Sequence, residues 1–224
     1  MVPQPCSTSS VTRAAVLVSV TLLVSVQLSR AQAPSCGRAG VGPAPLISSD
    51  SIGPLDLHHT VAELRAACPS ARDTMLLGGE ESSAFGLVFL LGSVTVVAQQ
   101  VIGDTSTGLR GNLPADMWTV MGSSARLPYG LTIGSRWQEL RAAYGPGVAD
   151  ADNDVETWVR FCPFPRILFV LSAKLSGHHV YTYDLASIPD NTSVKEVVVL
   201  DQFLARTGHE WRRFVRACSD RASP

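Results

Sequence analysis

The chain has 224 residues, of which 46% are hydrophobic and 17% charged, and this composition is typical of a globular protein and not of a disordered one. The length allows one large domain or two small ones. The formal net charge is -1 at pH 7, so the overall charge gives no indication of nucleic-acid binding or of an acidic tail.

The N-terminus has the three parts of a secretory signal peptide. Arg13 precedes the apolar run Ala14–Leu28, and small residues follow at Ser29 and Ala31. The run is about 15 residues long, shorter than the roughly 20 that span a bilayer. We therefore predict that residues 1–31 are removed and that the mature chain is exported, to the periplasm or the cell exterior, without a transmembrane segment. A signal anchor is the alternative.

The cysteines predict a disulfide framework. Once Cys6 is removed with the signal peptide, four cysteines remain, and an even number in an exported protein favours two disulfides. Four cysteines allow three pairings; we favour Cys36–Cys68 with Cys162–Cys218, because each pair then stays within one half of the chain. Lipidation of Cys36 is an alternative that would leave one thiol unpaired. The sequence contains no CxxC pair, so a structural zinc site is not indicated. Neither a metal nor another cofactor is predicted.

Residues 32–45 are rich in Gly, Pro and Ala, which predicts a flexible leader. A first α+β unit is expected over residues 46–125. Its short helix is predicted near Val61–Ala67, because Thr60 and Glu63 match a capping box, in which the two residues satisfy each other's free backbone N–H groups.

Strands are expected after this first helix. Arg72–Ser83 is interpreted as a loop. The stretches Phe85–Leu91 and Val94–Val101 are rich in β-branched and apolar residues, and Gly92-Ser93 between them predicts a hairpin turn. Asp116–Met121 is expected to form a third strand.

A second unit is expected over residues 126–224. Its helix is predicted over Arg136–Tyr144, because Ser135 and Gln138 again match a capping box and a Gly-Pro-Gly stop follows. The pentapeptide Glu-Leu-Arg-Ala-Ala occurs in both predicted helices. It indicates an internal repeat in which one structural unit is used twice.

Four stretches of the second unit predict strands: Val155–Cys162, Ile167–Leu171, His178–Tyr183 and Val194–Leu200. Strands that follow one another in sequence favour antiparallel pairing, so the predicted class is α+β, with a short helix packed on an antiparallel sheet in each unit. Apolar residues at spacings of three and four in Gln202–Cys218 predict an additional C-terminal helix.

The segment Gly134–Pro146 combines a preceding apolar strand, a Glu-Leu pair, small residues and a closing Gly-Pro. This pattern resembles the units of the BamE/SmpA type and of the β-lactamase-inhibitor-protein type. His58–Pro69 departs from it, since His58 stands where glycine is usual and Cys68 lies where the helix would continue. The resemblance implies a helix on an antiparallel sheet, used in tandem in the inhibitor family, and a role in envelope assembly or protein binding.

Histidines are the first candidates for catalysis or metal binding, because a neutral imidazole serves as a ligand or a general base. Two adjacent pairs occur, His58-His59 and His178-His179. Neighbouring residues on a strand point to opposite faces, so one pair rarely gives two ligands to one ion. Ordinary polar positions are favoured. The alternative is a secreted hydrolase or metal-dependent enzyme that uses His58, His59 or His179 with an acid such as Asp56 or Glu156.

A calcium loop is weakly indicated by the spacing of Asp150, Asp152 and Asp154. Val155 stands at the sixth position, where glycine is required, and Phe161 replaces the bidentate acid at the twelfth. A solvated turn is therefore favoured. The Gly-x-Ser-x-Gly and Ser-x-x-Lys motifs of nucleophilic enzymes and the phosphate-binding P-loop are absent from the sequence.

Alternation along two of the predicted strands points to a binding surface. If their apolar residues pack on the helices, the open sheet face presents aromatic, Arg and His side chains, which are enriched in binding hot spots. The six candidates are Glu156, Trp158, Arg160, His179, Tyr181 and Tyr183. The alternative is that the aromatic residues cover the sheet edge or pack under the C-terminal helix.

Taken together, these patterns predict an exported, non-catalytic protein that binds a protein or an envelope component through an open sheet face. Two alternatives stay open: the secreted enzyme described above, and a purely structural envelope protein without a specific partner.

Overall fold

The computed structural model describes Cys36 and residues 42–77, 83–101, 108–149, 157–172, 185–201, 206 and 208–222. The predicted signal peptide, most of the leader, the Asp150–Asp154 loop and the predicted strand His178–Tyr183 lie outside these residues. Within them, no helix has the length and apolar character needed to cross a membrane.

The described residues alternate short helices with antiparallel strands. In chain order the elements are β1 (Ser51–Ile52), β2 (Leu55–Asp56), α1 (Val61–Ala67), β3 (Arg72–Leu77), β4 (Ser83–Leu91), β5 (Val94–Val101), β6 (Met117–Met121), α2 (Trp137–Tyr144), β7 (Val148–Ala149), β8 (Thr157–Phe161), β9 (Phe164–Leu171), β10 (Val194–Leu200) and α3 (Gly208–Ala222). Single 3-10 turns lie at Pro128–Gly130 and Leu185–Ser187.

Helix α1 begins where the sequence predicts. The Thr60 backbone N–H donates to Glu63 Oε2 at 2.8 Å, and Thr60 Oγ1 accepts from the Glu63 backbone N–H at 3.3 Å. These are the two reciprocal bonds of a capping box, and they satisfy N–H groups that a helix start leaves free. Val61 and Leu64 are fully buried, so the helix is held by its apolar side.

Helix α2 begins one residue later than predicted, and the predicted Ser135–Gln138 capping box is wrong. Ser135 Oγ accepts from the Thr132 N–H instead, while the Arg136 N–H donates to Glu139 Oε2 at 2.7 Å. The reason is that the first residue of the helix is hydrogen-bonded to a distant part of the chain: the Trp137 N–H donates to the Thr192 carbonyl at 2.6 Å. The start of the helix is therefore set by tertiary contacts as well as by its own sequence.

The central sheet has eight described strands in the order β3-β4-β5-β6-β10-β9-β8-β7, and every neighbouring pair is antiparallel. Each half is one helix followed by a four-stranded meander, and the last strands of the two halves, β6 and β10, pair at the centre. This is the arrangement that two copies of one unit would give. The α+β class is confirmed, whereas the internal repeat and its boundaries stay predictions.

Strand β3 was not predicted. The two glycines of Arg72–Ser83 and the two acids that follow them predict a loop, but Arg72–Leu77 pairs with β4 in a continuous register from Arg72 opposite Val88 to Leu77 opposite Ser83. It forms one edge of the sheet, where charged residues are common because one side of the strand faces no neighbour.

The core lies between the helices and one face of the sheet, called here the core face. Paired residues across the sheet define this face, and the row runs through Phe89, Val96, Val120, Val197, Phe169 and Val159. The helices contribute Leu64, Trp137 and Leu140, all at most 1% exposed. One continuous cluster of buried apolar residues thus joins both halves of the chain.

The other side of the sheet, the outer face, carries a smaller cluster. Its row of paired residues runs through Leu90, Thr95, Met121, Glu196, Val170 and Trp158. In the second half of the chain, four apolar side chains of this face are buried: Leu168, Val170, Val198 and Leu200. The outer face is therefore not uniformly open.

Both favoured disulfides are present. Cys36–Cys68, the buried disulfide, has a Cα–Cα distance of 5.0 Å, and both of its residues belong to the core cluster. Cys162–Cys218, the α3 disulfide, has a Cα–Cα distance of 5.7 Å and links α3 to the β8–β9 turn. Cys36 is thus disulfide-bonded. The lipidation alternative, in which Cys36 carries a lipid and another cysteine has no partner, does not agree with this pairing. Two disulfides fit a protein that folds in an oxidising compartment.

Candidate functional site

The structure describes two of the six predicted binding residues; Glu156, His179, Tyr181 and Tyr183 lie outside the described part of the chain. Trp158 is half-buried and packs against the cluster of the outer face. Arg160 is only 4% exposed. Trp158 and Arg160 lie opposite Val170 and Leu168 of the outer face, and the role of the six residues in binding stays a prediction.

Arg160 lies under α3. The centre of its guanidinium is 5.8 Å from the Trp211 ring and 5.2 Å from the Phe214 ring, and its Nη1 donates to the Pro165 carbonyl at 3.0 Å. Phe214 is 4% exposed and closes this contact from the helix side. A cation held against two aromatic faces stabilises the attachment of α3 to the sheet. The sequence left open that aromatic residues pack under the C-terminal helix, and it is Arg160 that does so.

The described histidines take part in a turn. The His58 backbone N–H donates to Asp56 Oδ1, and His59 Nδ1 lies 2.8 Å from the Asp56 carbonyl oxygen. Both contacts are local and lie in the turn that precedes α1. The Asp56 carboxylate accepts a hydrogen bond from a backbone N–H and not from an imidazole. Among the described residues, no group of three or more His, Cys, Asp or Glu side chains could hold a metal ion.

The first half of the outer face is more open than the second. Leu90 is 40% exposed, whereas Leu168 in the second half is 3% exposed. Beside Leu90, Thr95 and Gln99 are half-buried, and Gln99 Nε2 donates to Thr119 Oγ1 at 3.2 Å. This region offers an apolar surface with a few hydroxyl and amide groups.

The most exposed large apolar side chain among the described residues is Tyr129, which is 75% exposed. It occupies the middle of the 3-10 turn between Pro128 and Gly130. Its φ of 59° and ψ of 25° lie in the left-handed region, and Tyr129 alone among the described non-glycine residues has a positive φ. A bulky side chain is disfavoured there because its Cβ crowds the following carbonyl oxygen.

The turn that carries Tyr129 is held from below. Tyr144, at the end of α2, donates its hydroxyl to the Pro128 carbonyl at 2.8 Å, and the Leu127 N–H donates to the Leu131 carbonyl at 2.7 Å. Burial, with a smaller contribution from Tyr129, raises the pKa of Tyr144 well above its usual value of 10.0. The hydroxyl therefore keeps its proton and this hydrogen bond throughout the physiological pH range.

Two further rings support Tyr129. Its ring centroid is 5.9 Å from that of Tyr144 and 6.2 Å from that of Phe164, and the Tyr144 and Phe164 centroids are 4.8 Å apart. Tyr144 in turn contacts the fully buried Phe161 and Phe169. We call Tyr129, Tyr144 and Phe164 the aromatic platform. One exposed ring is thus fixed on a base formed by buried Tyr144 and half-buried Phe164, in edge-on and tilted contacts.

The platform suits recognition of an apolar surface. None of its three side chains carries a charge, and the Tyr144 hydroxyl is already engaged by Pro128. A rigid exposed ring buries a large area on binding and loses little conformational freedom. The sequence analysis missed this site, although an aromatic residue between Pro128 and Gly130 is a recognisable signal: a turn normally places a small or polar residue there.

Comparisons with known proteins place the chain in no family: no protein-family model matches it, and neither does any curated protein. One solved structure with which it shares a likeness is the crystal structure of the uncharacterized protein yfeY from Escherichia coli. The identity is 12%, the TM-score is 0.46, and the match covers 72% of this chain and 100% of the other.

Proposed function

We propose that the chain is an exported, non-catalytic protein that binds another protein, or a protein component of the cell envelope, through the aromatic platform. The observation that carries this proposal is Tyr129, a three-quarters exposed ring in a left-handed backbone conformation. Export, by a signal peptide over residues 1–31 to the periplasm or the exterior, is part of the proposal and is supported by the two disulfides.

The backbone conformation supports a binding role. A left-handed residue other than glycine costs about 1–2 kcal/mol, so glycine would relieve the strain at position 129. Strain of this kind is concentrated at binding and catalytic sites, where the position of one side chain matters more than stability. The bond from Tyr144 and the rings beneath hold Tyr129 in place before any partner arrives, which lowers the entropy lost on binding.

The neighbours of Tyr129 favour a protein segment over a sugar. Sugar recognition needs carboxylate or amide groups beside the ring to bond the sugar hydroxyls. The ring contacts of Tyr129 are instead with Tyr144 and Phe164, and Pro128 precedes it in the turn. Apolar side chains of a partner, such as proline or leucine, match this surface.

The platform adds to the predicted sheet-face surface and leaves part of it open. Trp158 stays a candidate contact, as do Glu156, His179, Tyr181 and Tyr183 outside the described residues. Arg160 is occupied by α3. The enzyme alternative and the purely structural alternative stay open.

The proposal is tested by photo-crosslinking in the native host. A photoreactive phenylalanine analogue at position 129 is expected to give a discrete crosslinked protein, whereas the same analogue at exposed Leu113 gives none. Excess unlabelled wild-type protein should suppress the product, and excess Tyr129→Gly protein should not. Equal suppression by both competitors would remove the platform from the binding surface.

A further inference from the structure

A cavity of about 390 Å³ lies between α2, the segment that enters β7, the 3-10 turn Leu185–Ser187 and α3. It is separate from the aromatic platform. Three of its lining side chains are polar, namely Trp137, Arg141 and Arg213, and the others are Pro, Gly, Val, Ala and Leu. The cavity therefore combines an apolar wall with a small set of polar groups, as small-molecule sites do.

Every polar side chain among the described lining residues is a hydrogen-bond donor. An indole has one N–H and a guanidinium has five, and neither has an acceptor. The Trp137 Nε1–H and the Arg141 Nε–H are buried and have no hydrogen-bond partner. Both atoms are closed off from solvent, so an acceptor in the cavity would be bound through the partly exposed guanidinium groups of Arg141 and Arg213.

The charge of the cavity lining points the same way. Two guanidinium groups reach it from different helices, Arg141 from α2 and Arg213 from α3. Arg141 lies over the Trp137 ring, 5.4 Å from its centroid, and its Nη2 pairs with Asp190, whose carboxylate is 59% exposed. No acid of the described residues pairs with Arg213. Among the described residues, the two cations thus face one partly solvated carboxylate, which leaves a net positive charge on the described part of the lining.

We propose that this cavity binds a small organic anion that consists of one carboxylate or phosphate group on an apolar body. The anionic group would accept from Arg141 and Arg213, since planar guanidinium groups match the oxygen pairs of both. The apolar body would lie against the aliphatic wall, which includes Val148 and Leu185. A bare inorganic ion would leave that wall unoccupied, because the cavity is much larger than the roughly 30 Å³ that a water molecule takes.

The proposal is tested by calorimetric titration of the mature protein at low ionic strength with three probes. Benzoate has both features, inorganic phosphate has only the charge, and benzyl alcohol has only the apolar body. Saturable benzoate binding is expected, with phosphate about tenfold or more weaker and benzyl alcohol without measurable binding.

Matched variants assign the binding to the cavity. Arg213→Gln should weaken benzoate binding about tenfold or more, whereas Arg212→Gln, at the exposed neighbouring position of α3, should leave it unchanged. Arg141→Gln should resemble Arg213→Gln. Asp190→Asn removes the competing carboxylate and should maintain or strengthen binding. Thermal unfolding of each variant, measured in parallel, shows that the fold is retained.

Three results would overturn the inference. The first is no saturable benzoate binding below about 10 mM, which is weaker than a formed site would give. The second is equal loss of affinity in Arg212→Gln and Arg213→Gln, which would indicate a general effect of helix charge. The third is phosphate binding as tight as benzoate binding, which would reduce the site to a bare anion contact.

Discussion

Replacing Tyr129 by glycine and by alanine separates the strain at this position from its contacts. Both substitutions remove the ring and its contacts with Tyr144 and Phe164. Only glycine accepts φ of 59° without strain. At ordinary positions alanine is the more stable of the two by about 0.4–1 kcal/mol, because it restricts the unfolded chain. At position 129 the left-handed penalty exceeds this difference, so Tyr129→Gly should be more stable than Tyr129→Ala by about 1 kcal/mol.

Urea unfolding measures this difference as a shift in the midpoint at unchanged slope, and thermal unfolding as a Tm difference of about 2–4 °C for a domain of this size. Leu113 provides the control, since it is exposed and is absent from the described residues with positive φ. At position 113 alanine should be more stable than glycine. The same order at position 129 would show that the turn relaxes and that no strain is held there.

Three further predictions concern the rest of the fold. Gly147→Ala should destabilise the protein by about 1–3 kcal/mol in urea unfolding, because the added Cβ would lie 2.5 Å from Val159 Cγ1. Mild reduction followed by alkylation and mass spectrometry should find the half-buried α3 disulfide opened before the buried disulfide; simultaneous opening would mean that reduction requires global unfolding. The pKa of Glu63 is lowered because the backbone and hydroxyl of Thr60 donate to its carboxylate. The associated stability is present above the usual value of 4.5 and is lost as pH falls through the folded pKa, so Glu63→Gln should flatten the acid limb of a stability–pH profile.

The features that the sequence predicted correctly depend on interactions between nearby residues or on the number of cysteines. The capping box needs only Thr60 and Glu63, three residues apart, so it forms wherever the helix forms. The disulfide pairing followed from an even number of cysteines and from a preference for pairs within one half of the chain. The richness of Val94–Val101 in β-branched and apolar residues predicted β5, most of whose residues are buried.

The features that were missed depend on contacts between distant segments. Arg160 was expected on an open face, but whether α3 covers it depends on where Trp211 and Phe214 dock, and periodicity does not show that. The start of α2 depends on a hydrogen bond from Trp137 to Thr192. The exposure of Tyr129 depends on the turn that Tyr144 holds, since most aromatic residues in such a sequence are buried.

The central claim is that Tyr129 is the principal contact with a partner protein, and the measurement that tests it most directly is affinity. The protein crosslinked through position 129 would be purified and titrated with the wild-type chain and with Tyr129→Gly, which keeps the fold while it lacks the ring. We predict that the variant loses about 2 kcal/mol of binding free energy, or roughly thirtyfold in Kd, as expected for an aromatic hot spot. An unchanged Kd would contradict the claim.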